Sequence, residues 1–202
     1  MPLTALHSAK DEQEVKGMEP SELQDRRESR PGISPASLAV GGITLLVVAL
    51  LAYALLAGPD RPPDIGDPVP DFQLVALDGS LMSLSSYRGQ VVVLNFFASW
   101  CAPCRQEAAD LEQAWRKYRG TGVQFLGIGY KDAPSKAQDF VDTFNITYPI
   151  AVETDNLTAR AYGVTGVPET FIIDQEGNLV RHFLGAITLE QISQEVDPLL
   201  NR

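Results

Sequence analysis

Residues 91–98 read VVVLNFFA, a stretch in which Asn95 is the only polar side chain. Alternate side chains of a strand point to opposite faces, so a run this β-branched and aromatic cannot keep one face in water. It fits a strand buried on both sides of a sheet, with helices above and below. That requirement confines the chain to an α/β architecture. The surrounding pattern agrees. Residues 102–119 place Ala108, Leu111, Ala114, Trp115 and Tyr118 at helical spacing and stop at Gly120 and Gly122. Residues 123–130 predict a second buried strand, 134–145 a helix, 148–152 an extended piece and 156–162 a short helix. Two hairpins are expected, one from 72–77 and 81–84 around Asp78-Gly79, the other from 170–174 and 179–184 around Glu176-Gly177-Asn178. A helix over 188–201 closes the chain. The expected fold is α/β, a mixed sheet with helices on both faces.

The first third of the chain is of another kind. Residues 1–37 are rich in Glu, Ser, Arg and Pro without apolar periodicity, which predicts a solvated, disordered tail. Residues 38–57 contain no charge over 20 positions, about 30 Å of helix, which is one hydrocarbon core. A buried helix of a soluble domain is rarely apolar all round. A cleavable signal peptide has a shorter leader and a shorter apolar run, although Ala52, Ala54 and Ala57 offer small residues. The expectation is a retained single-pass anchor. Arg26, Arg27 and Arg30 precede it, whereas Asp60, Asp64 and Asp67 with only Arg61 follow, so the tail is expected in the cytoplasm and the rest outside. Five prolines and two glycines over 58–70 predict a semi-rigid spacer. The expected division is a tail (1–37), a transmembrane helix (38–57), a Pro-rich linker (58–66) and a folded domain (67–202).

The chain has two cysteines, Cys101 and Cys104, and both fall where the buried strand gives way to the helix. This is the carboxyl edge of the sheet, where open α/β folds carry their sites. Unpaired amides and the positive end of the helix dipole favour a thiolate there, so the Cys101 pKa is expected to fall from about 8.5 to roughly 5.5–7.5. Cys104, one turn in, is expected to be more buried. Cys101 is then the attacking sulfur and Cys104 the resolving one. Other uses of the pair are weaker. Zinc needs four ligands, and only His7 and His182 could join the two thiols. Haem attachment needs a His after Cys104, where Arg105 stands. A permanent disulfide three residues apart closes too short a loop to stabilise much. No metal and no cofactor beyond the redox-active disulfide is expected. Nor is nucleic acid: the net charge is −10, and from residue 58 onward 11 basic residues are scattered among 19 acidic ones.

Three stretches, FFASWCAPCRQE (96–107), GYKDAPSKAQDF (129–140) and GVTGVPETFIID (163–174), resemble the membrane-anchored, thioredoxin-like thiol-disulfide oxidoreductases of cytochrome c maturation. The likeness covers about 67–200. It implies a thioredoxin fold with an added N-terminal hairpin. It implies a reductant of apocytochrome c haem-binding cysteines or other extracytoplasmic thiol proteins, recharged by a membrane electron-transfer protein. It also implies that Pro168 is cis and faces the Cys pair, with the backbone of Val167 offering edge hydrogen bonds to an extended substrate. Glu107 follows Cys104 by three residues and shares its helix face. The resemblance makes it an acid that tunes the thiols and exchanges the Cys104 proton. Glu169 is expected to line the substrate groove, as are Glu153 and Asp155. Trp100 is expected as a wall beside the thiol. Alternatives are a general thiol reductase, a peroxiredoxin-like peroxidase and a redox-inert anchored chaperone. The peroxidase follows from Pro70-Asp71-Phe72, but Ala98 stands where its Thr is wanted.

Overall fold

The computed structural model describes residues 35–56 and 61–201, and the chain divides into two units, Met1–Ala57 and Gly58–Arg202. In the first, α1 (Pro35–Leu56) is a helix without a charged residue. Its side chains are described over 40–52 and are exposed. Among the described residues no helix is long and apolar enough to cross a membrane. Most of the expected tail, Ala57 at the end of the expected transmembrane helix and residues 58–60 at the start of the linker lie outside the described residues.

The second unit is an α/β domain built on the strand that the apolar run predicts. All seven residues of β3 (Val91–Phe97) are buried. Before it, β1 (Gln73–Val75) and β2 (Leu81–Ser83) pair antiparallel, Gln73 opposite Ser83. After it come α2 (Ala102–Tyr118), β4 (Val123–Tyr130), α3 (Pro134–Phe144), β5 (Ile150–Glu153) and the short α4 (Leu157–Ala161). The chain ends in β6 (Glu169–Ile173), β7 (Leu179–Leu184) and α5 (Leu189–Leu200). The main sheet has the order β5-β4-β3-β6-β7. β3 runs parallel to β4 and antiparallel to β6. The fold is thioredoxin-like, a mixed sheet between layers.

The period-two alternation of β3 divides the core. Val91, Val93 and Phe97 pack with Leu111 and Ala114 of α2, Phe140 of α3 and Val196 of α5. Val92, Leu94 and Phe96 face Phe72, Met82, Tyr162 and Phe171. Tyr162 is the centre of that second layer, its ring 5.7 Å from Phe96 and 5.2 Å from Phe171, with its hydroxyl donating to the Pro70 carbonyl at 2.7 Å. Burying each such side chain contributes about 1.5–3 kcal/mol. Asn95 has the parity of Val93 and Phe97, so it points to the α2 side. α5 starts with a capping box, Thr188 accepting from the Gln191 amide. The carboxyl ends of β3 and β4 therefore open onto one edge, flanked by the start of β6.

Candidate active site

Cys101 is the N-cap of α2, and Pro103 fills the first turn, where no amide is needed. Cys101 and Cys104 form a disulfide, with Cα atoms 5.3 Å apart. The amide of Cys104 donates to Cys101 Sγ at 3.1 Å, as the helix start requires. Cys104 is the more buried sulfur, 1% exposed against 4% for Cys101. Cys101 Sγ also lies 3.4 Å from the carbonyl oxygen of Val167. The Val167–Pro168 peptide is cis, so the expected loop and the expected thiol meet.

Beneath the pair, one turn along α2, lies Glu107, 2% exposed. Its carboxylate accepts from the Asn95 side-chain amide at 2.9 Å and from the Ile187 amide at 2.8 Å. The Asn95 amide also donates to the Thr170 hydroxyl oxygen at 2.9 Å, across the Asn95–Thr170 register of β3 and β6. Burial outweighs these two donors and pushes the Glu107 carboxyl from 4.5 up to about 7, with the Asp110 charge adding to the rise. A carboxyl with that affinity takes or gives a proton near neutral pH.

Glu169 lines the edge of the groove with its backbone, while its carboxylate turns inward at 3% exposure. One oxygen accepts from the amides of Thr165 and Gly166, at 3.0 and 3.1 Å. The other lies 2.7 Å from His182 Nε2. Its charge is spent on holding the loop that carries Val167 and Pro168 rather than on a bound peptide. Glu153 behaves similarly. It is buried and accepts from the amides of Thr158 and Ala159 at the start of α4. Asp155 accepts from the Leu157 amide at 3.2 Å. These two acids shape a loop.

Trp100 is 61% exposed, not packed as a wall: its indole N–H donates to the Lys131 carbonyl at 3.2 Å and leaves the ring in solvent beside the disulfide. The loop before Cys101 is held by Asp132, which accepts from the Ser99 amide at 2.6 Å and the Ser99 hydroxyl at 2.9 Å. Between Pro103 and the cis-proline loop runs a groove that Leu184 and Gly185 close. Leu184 is 75% exposed, and the Gly185 amide donates to the Pro168 carbonyl at 2.9 Å. Pro103, Val167, Pro168 and Leu184 give this groove an apolar lining that an extended peptide can lie along.

Asn95, Thr170, Asp132 and His182 are absent from the sequence-derived site. One of them carried a signal: Asn95 is the polar exception in an otherwise apolar strand, and a polar group in such a place needs a partner. The others depend on which strands pair.

A profile of the AhpC/TSA family matches residues 65–182. The chain is 32% identical over 160 residues, 78% of its length and 92% of the relative's, to the thiol-disulfide oxidoreductase ResA of Geobacillus thermodenitrificans. It is 34% identical over 166 residues, covering 80% and 90%, to the thiol:disulfide interchange protein DsbE of Allochromatium vinosum. A solved thiol:disulfide interchange protein of the thioredoxin family from Chlorobium tepidum superimposes with a TM-score of 0.62 at 32% identity, over 69% of this chain and 97% of that one. The family match takes in both cysteines, Glu107, Val167, Pro168 and Glu169, and with the two relatives it places the chain in the AhpC/TSA family as a thioredoxin-fold thiol-disulfide oxidoreductase.

Proposed function

We propose that the protein is an extracytoplasmic reductant of apocytochrome c haem-binding cysteines, held at the membrane by residues 38–57. The observation that carries the reading is the approach of Cys101 Sγ to the Val167 carbonyl, 3.4 Å away on a cis-proline loop. A peptide laid along that loop brings its own sulfur in line with Cys101. In the reduced enzyme the Cys101 thiolate attacks one sulfur of the client disulfide. A mixed disulfide forms, and the client's other sulfur leaves as a thiolate that takes a proton. Cys104 then gives its proton to the Glu107 carboxylate and attacks Cys101 Sγ. The enzyme disulfide closes, and the second client sulfur leaves to be protonated in turn. Two electrons have passed from the Cys pair to the client. A membrane electron-transfer protein returns the pair to the dithiol, which is the state the cycle starts from. The chargeless helix α1 and the arginines that precede it support an anchor with the domain outside.

A Cys104→Ser variant tests this. It retains the attacking sulfur and lacks the resolving one, so it is expected to hold its client as a mixed disulfide that reductant releases. Capture of an apocytochrome c supports the reading. Capture of unrelated secreted proteins alone makes the enzyme a general reductase, and no capture at all overturns the thiol mechanism.

A further inference from the structure

The mechanism above leaves His182 unused, though it is bonded to a buried carboxylate at the edge of the substrate groove. Its ring stacks on Phe171, with centroids 4.1 Å apart and planes 13° apart, which fixes the plane of the imidazole. In that orientation Nε2 reaches Glu169 Oε2 at 2.7 Å, a separation at which the imidazole N–H donates to the carboxylate. The opposite oxygen of the same carboxylate takes the amides of Thr165 and Gly166. Those amides belong to the loop that ends in Val167 and Pro168. A chain of directed contacts thus runs from the Phe171 ring through His182 and Glu169 to the backbone beside Cys101 Sγ.

We propose that His182 is a positioning residue for the substrate-binding loop: by fixing the rotamer of Glu169 it holds the Thr165 and Gly166 amides, and through them the Val167 backbone that a peptide client pairs with. Without its donor, one oxygen of a buried carboxylate is left unpaired. Glu169 then turns toward water, and the loop loses its bracket. His182 touches neither sulfur, so the chemical step is not its task. The proposal rests on the reading that the client is an extended polypeptide, and it holds whichever polypeptide that is.

The experiment uses the full-length reduced enzyme with two oxidants, a peptide closed by a Cys-X-X-Cys disulfide and the small disulfide dithiodipyridine, which has no backbone to pair. His182→Phe keeps the ring stack on Phe171 and removes the donor. His182→Gln restores a donor. In His182→Phe the preference for peptide over dithiodipyridine, as a ratio of kcat/KM, is expected to fall about tenfold, through KM. His182→Gln is expected to recover at least about half of that loss on a logarithmic scale. Amide hydrogen exchange at Thr165 and Gly166, measured without substrate, is expected to quicken about tenfold in His182→Phe, whatever the client proves to be. A fall in preference of less than about threefold, a His182→Gln variant no better than His182→Phe, or unchanged exchange at both amides overturns the proposal.

Discussion

Glu107 on α2 and Glu169 at the start of β6 are 2% and 3% exposed, and each has both carboxylate oxygens filled. By burial alone they are the same residue. Their partners separate them. Glu107 meets one side-chain amide and one backbone amide and is pushed up to about 7 by desolvation. Glu169 meets two amides of one loop and an imidazole that stacks in place. In the proposed mechanism the first carries a proton for Cys104, whereas the second holds the amides of a loop. What a buried carboxylate does in this site is decided by the donors around it, and substitutions can test that division.

The largest effect is expected in stability against pH. The Glu107 carboxyl loses its proton at about 7 in the folded protein and at 4.5 in the unfolded chain. Between those values the folded state binds more protons than the unfolded one, so stability falls as pH rises and levels off above about 7. The loss is on the order of 3 kcal/mol. Chemical denaturation of the oxidised protein, in which no thiol titrates, measures it. Glu107→Gln is expected to remove this slope, although it places a side-chain amide against a donor and so lowers stability at acid pH. A wild-type and variant pair whose stability difference is the same across the range would break the assignment of Glu107 as the group that is costly to ionise.

Turnover separates the two glutamates next. With Glu107→Gln the resolving step loses its proton acceptor, and kcat at neutral pH is expected to drop about a hundredfold with KM little changed. With Glu169→Gln the opposite split is expected: the loop bracket loosens, KM for a peptide disulfide rises about tenfold, and kcat holds within a few fold. The wild-type kcat should rise through about pH 7 as Glu107 ionises. That limb should vanish in Glu107→Gln and persist in Glu169→Gln. A shared kinetic defect in both variants would erase the distinction.

The sequence made the place of Glu107 legible and left the contacts of Glu169 dark, for a physical reason. Glu107 lies three residues from Cys104 on one helix, and helical periodicity alone puts the two on a face. The apolar strand, the Cys pair at its end and the closing helix are local in the same sense, and the structure has each of them. Glu169 and His182 are thirteen residues apart and meet because β6 and β7 pair with Phe171 opposite His182. No periodicity carries that register. Trp100 departs from expectation likewise, since the carbonyl that holds its indole belongs to the next βα loop. Glu153 has the letter of a groove acid, yet the short α4 that follows supplies amides for it to cap.

Asp132 gives the smallest expected effect and the finest test. It belongs to one of the three stretches that carry the resemblance, and its carboxylate receives Ser99 and the Ala133 amide, the last at 2.9 Å. It is a second bracket, on the flank of Cys101 away from the proline loop. If brackets and proton carriers are separate classes, Asp132 must behave as Glu169 does. Asp132→Ala leaves the Ser99 amide without its acceptor in a half-buried place, which costs about 1 kcal/mol of stability. A two- to threefold rise, roughly, in KM for peptide disulfides is expected from the looser approach loop. The slope of stability with pH and the rise of kcat through neutrality should stay as in the wild type, because the Glu107 pocket is untouched. A thermal melt and a kcat profile at several pH values measure both. Should Asp132→Ala alter the pH dependence as Glu107→Gln does, then proton affinity at this edge is a property of the whole carboxylate set, and the division drawn from Glu107 and Glu169 gives way to a coupled titration.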